Sequence, residues 1–143
     1  MLFENDRVLL AQNADNGLWM TIGGAIEPDE TPADAAVREF WEETGLVVEL
    51  TGLLGVFGGP EFRVTYPNGD TTAYVSSVFV GRRVAGELRP DGSETIALRF
   101  VSRPEIRDLP MTPLSAAIVE HAFDHRDIPY FAKATWLPPG PPL

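Results

Sequence analysis

The stretch Gly23–Leu46, GGAIEPDETPADAAVREFWEETGL, decides how this chain is read. Its middle is written as a helix. Thr31 suits the N-cap, Pro32 the first helical position, and Asp34 completes a capping-box-like pattern in the first turn. Gly45 can turn left-handed and stop the helix. Between these signals Ala33, Ala36, Val37, Phe40 and Trp41 recur at helical spacing and form the expected core-facing stripe. At about 100° per residue, that stripe centres opposite Glu39, Glu42 and Glu43. The three glutamates stand at i, i+3 and i+4, where like charges cost about 0.2–0.5 kcal/mol. No basic residue lies four positions after any of them, and Arg38 is expected to project to one side. The face is either a solvated acidic surface or a place prepared for a cation that the chain does not itself supply.

The frame around the helix separates these readings. Gly24, Glu30, Arg38, Glu39, Glu42, Glu43 and Gly45 recur at fixed spacing, with apolar Phe40 and Leu46 between and after them. This pattern resembles the signature of the Nudix (MutT-like) hydrolases at every defined position. The resemblance implies that loop, helix and loop form a metal and diphosphate site. It implies Glu39, Glu42, Glu43 and the Gly23 carbonyl as metal ligands, with Glu30 and Arg38 bracing the loop against the helix and Gly24 and Gly45 shaping the backbone. The chemistry agrees. Clustered oxygen donors suit a hard cation such as Mg²⁺ (or Mn²⁺), which neutralises phosphate charge and acidifies a bound water. Paired glycines let the backbone come close to a ligand.

Composition narrows the partners. The formal net charge of −10 argues against a nucleic-acid polymer, whose binders carry a basic footprint. The cations are ten arginines and Lys133, so a direct phosphate contact is expected from an arginine fork. The absence of cysteine excludes thiolate chemistry and disulfides and is in keeping with a cytoplasmic setting. The opening MLFENDRVLL does not read as a signal peptide, and no apolar run approaches the roughly 20 residues of a membrane span. His121 and His125, at i, i+4, read as part of a solvated helix end beside Glu120 and Asp124.

The remaining chain supplies the elements of one domain, residues 1–126, followed by an extended proline-rich tail, 127–143. Arg7–Gln12 reads as a strand, and Leu46–Phe57 as β-rich with a bend at Gly52 and Gly55. Pro67–Asp70, PNGD, reads as a hairpin turn between two further strands. Thr95–Ser102 is a strand, Arg103–Leu109 a short helix, and Thr112 and Pro113 open a second clear helix. Strand, helix, several strands and helix together predict an α+β fold, an α/β/α sandwich around a mixed sheet. The resemblance covers about residues 4 to 124 and implies the Nudix fold.

Two positions depart from the family pattern: Ile22 where a proline commonly precedes the glycines, and Asp29 where a glycine commonly precedes Glu30. The strand before Arg7 is also short. The resemblance does not fix the general base. Glu94, on the loop before the late strand, occupies the matching place, with Glu87, Asp91 and Glu39 as rivals. Arg63 is the candidate phosphate contact, and Phe57 and Tyr74 are candidate base-stacking rings or else packing residues. The expected activity is hydrolysis of a small-molecule nucleotide, a nucleoside diphosphate linked to a further group X. ADP-ribose or another nucleotide sugar comes first, because Pro60 lies about where an ADP-ribose subgroup carries a proline; sanitising of nucleoside triphosphates follows. The alternative is a non-catalytic nucleotide-sensing domain, which would be expected to lose box acids that this chain keeps. An isopentenyl-diphosphate isomerase would want a cysteine. A homodimer is a family expectation.

Overall fold

One strand explains the layering. In β2 (Arg7–Asn13) the residues Val8, Leu9, Leu10 and Ala11 are all buried. A strand shows alternate residues to opposite faces, so a fully buried run needs cover on both sides. Leu9 packs with Phe40, Leu46 and Val48, whereas Val8 and Leu10 pack with Val101 and Val119. The first group contains the helix α1 (Pro32–Thr44) and the second the helix α3 (Pro113–His125). The sheet is therefore the filling of an α/β/α sandwich, as the order of elements predicts. This computed structural model describes residues 1–140.

Around β2 lie β1 (Phe3–Glu4), β3 (Trp19–Met20) and β6 (Thr95–Ser102), all antiparallel to it, with Phe3 opposite Val8, Ala11 opposite Met20 and Leu9 opposite Phe100. A long hairpin forms the second sheet, β4 (Leu46–Thr65) and β5 (Thr71–Gly86). Its turn is the predicted one. The Tyr66 amide donates to the Asp70 carbonyl at 2.8 Å, and Gly69 takes φ +91°. The two sheets meet where Leu2 bridges Gly81 in parallel, and this contact makes the arrangement mixed. A short helix α2 (Arg103–Ile106) follows β6.

The helix caps follow their residues. Thr31 Oγ1 accepts from the Asp34 amide at 3.1 Å, and Gly45, at φ +71°, donates to the Trp41 carbonyl at 2.8 Å. The buried face of α1 is rotated from the predicted stripe. It holds Ala35, Phe40, Glu43 and Thr44, while Trp41 is half exposed. Phe40 docks under β4 at Leu46 and Val48, and residues three and four positions on, Glu43 and Thr44, are carried inward with it.

The bend foreseen at Gly52 and Gly55 appears as register shifts at both glycines. Gly55 has a second reason to be glycine. A Cβ there would lie within 2.5 Å of the Tyr130 carbonyl oxygen, because residue 130 runs beside β4, its amide donating to Leu54 and its carbonyl accepting from Val56. The segment after Arg126 thus belongs to the packed body as far as Tyr130. The last part of the predicted tail, 141–143, lies outside the described residues. Among the described residues no helix is long and apolar enough to cross a membrane.

Candidate active site

The loop between β3 and α1 lies against the acidic end of the helix. The Gly23 amide donates to Glu43 Oε1 at 3.1 Å. At Gly24 the loop passes so near the Glu39 carboxylate that a Cβ there would displace the end of that side chain. Gly23 itself has φ +149°.

Arg38 ties the same loop to the helix. Its Nε and Nη2 reach the two Glu30 oxygens at 3.0 and 2.6 Å as a fork, and Nη2 also donates to the Ala25 carbonyl at 3.0 Å. The guanidinium holds the Glu30 pKa down at about 2. Nη1 lies between Glu39 and Glu42, at 2.8 and 3.2 Å. This corrects the expectation that Arg38 turns aside: two of the three acids share its charge. The third is also not where the helical wheel placed it. Glu43 is 5% exposed, and burial raises its pKa, opposed by a hydrogen bond from the Thr95 hydroxyl to Oε2 at 2.8 Å. The acidic face grades from an exposed Glu42, through a half-buried Glu39, to a buried Glu43.

Thr95 opens β6 and is itself fully buried. Its amide donates to Asp91 Oδ1 at 2.9 Å, and the amides of Ser93 and Glu94 donate to the same oxygen at 2.9 and 3.1 Å. Those bonds, the Thr95 amide first, lower the Asp91 pKa. A chain of contacts therefore runs from the loop that carries Glu94, through Asp91 and Thr95, to Glu43 and Gly23. Glu94 is exposed, and its carbonyl is held by the Ala14 amide at 2.8 Å. Sequence reading missed Thr95, which pairs with a residue 52 positions away and carries no local signal. Asp91 had one, an aspartate followed by glycine and serine at a turn.

A cavity of about 680 Å³ opens beside Gly23 and Gly24, between α1, β5 and the start of α3. Tyr74 lies on its wall with its hydroxyl bonded to that of Tyr66, a bond that raises the Tyr74 pKa. Phe57 does not line it. That ring is 2% exposed, packs with Ile118 and stacks on Tyr130 at 4.6 Å, so it belongs to the core and not to a substrate contact. Arg63 is exposed on β4, where Nε donates to the Pro60 carbonyl at 3.0 Å, and it too is away from the cavity wall. The His121 and His125 rings are 5.5 Å apart, and His121 leans on Phe57 and Tyr130.

Three carboxylates, the oxygen donors a hard divalent cation prefers, stand at this end of α1, and among the described residues the buried Glu43 carboxyl receives two hydrogen bonds. In this arrangement no three acidic or histidine side chains among the described residues converge as a ready cage. Arg38 Nη1 supplies positive charge between Glu39 and Glu42.

The sequence model described as NUDIX domain matches residues 1–122, and the chain belongs to this family. Hydrolases of the family generally use a divalent metal, typically Mg²⁺. The chain is 34% identical over 102 residues to a Bacillus subtilis (strain 168) protein provisionally named an 8-oxo-dGTP diphosphatase, covering 71% of this chain and 62% of that one. It is 31% identical over 128 residues to an ADP-ribose pyrophosphatase of Methanocaldococcus jannaschii, covering 87% of this chain and 64% of that one. The chain thus spans a little under two thirds of the length of these relatives. A crystal structure of an ADP-ribose pyrophosphatase from Streptococcus suis 89-1591 superposes with a TM-score of 0.66 at 28% identity, covering 89% of this chain and 87% of that one.

Proposed function

We propose that the chain is a Mg²⁺- or Mn²⁺-dependent pyrophosphohydrolase that cleaves a nucleoside diphosphate linked to another group X. The observation that carries this reading is the approach of the Gly23–Gly24 loop to the α1 carboxylates, Gly23 to Glu43 by a hydrogen bond and Gly24 to Glu39 by contact. Glu39, Glu42, Glu43 and the Gly23 carbonyl would hold the metal. When bound, the cation supplies neutralisation of diphosphate charge and a more acidic water.

The residues of the chain do the rest. Water attacks one phosphorus, a carboxylate takes its proton, and the anhydride oxygen leaves with the other phosphate. Glu94 is the first candidate for the base, since its neighbour Thr95 holds Glu43; Glu39, against Gly24, is the second. Arg38 keeps the loop on the helix through Glu30, a positioning role. Asp91 fixes the turn that presents Glu94. Tyr74, on the cavity wall, is the substrate contact.

ADP-ribose or another nucleotide sugar is the favoured substrate, supported by the archaeal relative and the Streptococcus suis structure. The Bacillus relative supports a second reading, removal of a modified nucleoside triphosphate. A non-catalytic sensing role has no support from a site that retains every box acid. The test is a turnover screen over nucleotide sugars, dinucleoside polyphosphates and nucleoside triphosphates with Mg²⁺ or Mn²⁺. Hydrolysis of none of these, with metal present and the protein folded, overturns the enzyme reading in favour of the sensing one.

A further inference from the structure

We infer that Ser115, a buried serine on α3, is a positioning residue that sets the Gly23–Gly24 loop against Glu43, and through that contact the affinity of the metal site. The inference rests on the pyrophosphohydrolase reading above and deepens it. Ser115 stands three residues after the N-cap of α3, where the Thr112 hydroxyl already accepts from its amide at 3.3 Å. Its own hydroxyl is turned out of the helix. It accepts from the Thr21 amide at 3.0 Å and shares a hydrogen bond with the Thr21 hydroxyl at 3.2 Å, across 94 positions of sequence. Ser115 is 3% exposed. A buried hydroxyl is costly unless it is hydrogen-bonded, and Thr21 is the partner that answers it.

Thr21 is where β3 ends and the loop begins. The segment before α3 supports β3 up to this point: the Trp19 amide donates to the Pro110 carbonyl at 2.8 Å, and the Thr112 amide donates to the Trp19 carbonyl at 3.4 Å. Ser115 extends that support by one step, onto Thr21. Beyond it the loop is held from the opposite helix, the Gly23 amide by Glu43 at 3.1 Å and the Ala25 carbonyl by Arg38 at 3.0 Å. The loop is thus strung between side chains of α3 and α1. Two residues span at most about 7 Å, so a fixed Thr21 confines the Gly23 amide to a small volume beside Glu43. Without the Ser115 hydroxyl the Thr21 amide loses its acceptor, and the loop regains conformational freedom that the bond from Gly23 to Glu43 must then overcome alone.

The test compares wild type, Ser115→Ala and Val119→Ala by amide hydrogen exchange in chelator and by Mn²⁺ uptake read by electron paramagnetic resonance. Val119 lies on the same helix, fully buried against Val8, Leu10 and Val101, so its truncation lowers stability by loosening the core and not the loop. Ser115→Ala is expected to exchange the Gly23 amide about fivefold faster and to need about fivefold more Mn²⁺, the equivalent of one net hydrogen bond. Val119→Ala is expected to unfold at lower urea and to keep both values near those of wild type. If Ser115→Ala does not fold, Ser115→Cys serves instead, since a thiol is a weak acceptor of similar shape. Gly23 protection that is unchanged in the Ser115 variant, absent from wild type, or lost equally in Val119→Ala overturns the inference. Faster Gly23 exchange with undiminished Mn²⁺ uptake overturns the step from loop to metal. A wild type that protects Gly23 and takes up no Mn²⁺ overturns the metal reading, and the amide comparison still decides whether Ser115 sets the loop.

Discussion

Replacing Glu43 by Gln should reverse its effect on stability according to whether metal is present. The carboxylate is buried and receives two hydrogen bonds, from the Thr95 hydroxyl at 2.8 Å and the Gly23 amide at 3.1 Å. Both survive the substitution. The amide oxygen accepts from Gly23, and the amide nitrogen donates to Thr95 Oγ1, which turns its own hydrogen away. What is lost is a negative charge that burial disfavours. A carboxyl whose folded pKa is raised binds its proton more tightly when folded, so its contribution turns unfavourable as pH rises from the unfolded value of 4.5 through the folded one. At neutral pH the metal-free wild type bears that cost and Glu43→Gln does not. Unpaired polar burial in proteins costs about 1–3 kcal/mol, and the two retained bonds offset part of it, leaving a gain of about 1 kcal/mol. For a chain of this size that is a rise of about 3 °C in Tm. With metal at about 100 times its Kd, wild type gains about 2.7 kcal/mol by linkage, and the variant gains little. The assay is thermal unfolding of both proteins in chelator and in Mg²⁺. The two Tm orders should be opposite. A Glu43→Gln protein that unfolds several degrees below wild type in chelator would show that the carboxylate holds the fold together and is not a buried charge waiting for a metal.

Thr95→Val leaves the Glu43 carboxylate with one donor and should cost about 1–3 kcal/mol of stability together with metal affinity, with Thr95→Ser restoring both; urea unfolding and metal titration read the two effects. Glu94→Gln should lower kcat with little change in KM, because a base acts on the transition state; if Glu39→Gln does this and Glu94→Gln does not, the base is on the helix. Glu30, with a pKa held at about 2 by Arg38, contributes stability that is complete above the unfolded value of 4.5 and lost as pH falls toward 2. Glu30→Gln should therefore flatten the acid limb of a stability-versus-pH curve, and an unchanged limb would mean that the Arg38 fork is not stabilising.

How much of this was legible in the sequence depends on how far apart the partners lie. The caps of α1 are local, and Thr31, Asp34 and Gly45 were readable because each acts within a few residues. The PNGD turn was readable for the same reason. The layering followed from the order of elements. The rotation of α1 was not readable, because an amphipathic stripe drawn through Val37 and Trp41 cannot know that Phe40 docks beneath β4 and draws Glu43 inward. The role of Arg38 was half legible: its bond to Glu30 fits a brace between loop and helix, but its approach to Glu39 and Glu42 depends on a rotamer. Phe57 reads from the sequence as either a base-stacking ring or a packing residue, and the structure packs it on Tyr130, a neighbour that the return of the chain supplies. Thr95 and the Gly55 approach to Tyr130 are long-range pairings that no spacing rule encodes.

The proposed activity requires the acidic end of α1 and the Gly23 loop to form a divalent-metal site. Free Mn²⁺ measured by electron paramagnetic resonance during titration into protein tests it without any choice of substrate. Wild type should take up Mn²⁺, release it to excess Mg²⁺, and lose most of that uptake in Glu39→Gln and Glu43→Gln. Uptake that is absent from wild type, or undiminished in both variants, would mean that these carboxylates do not hold the metal.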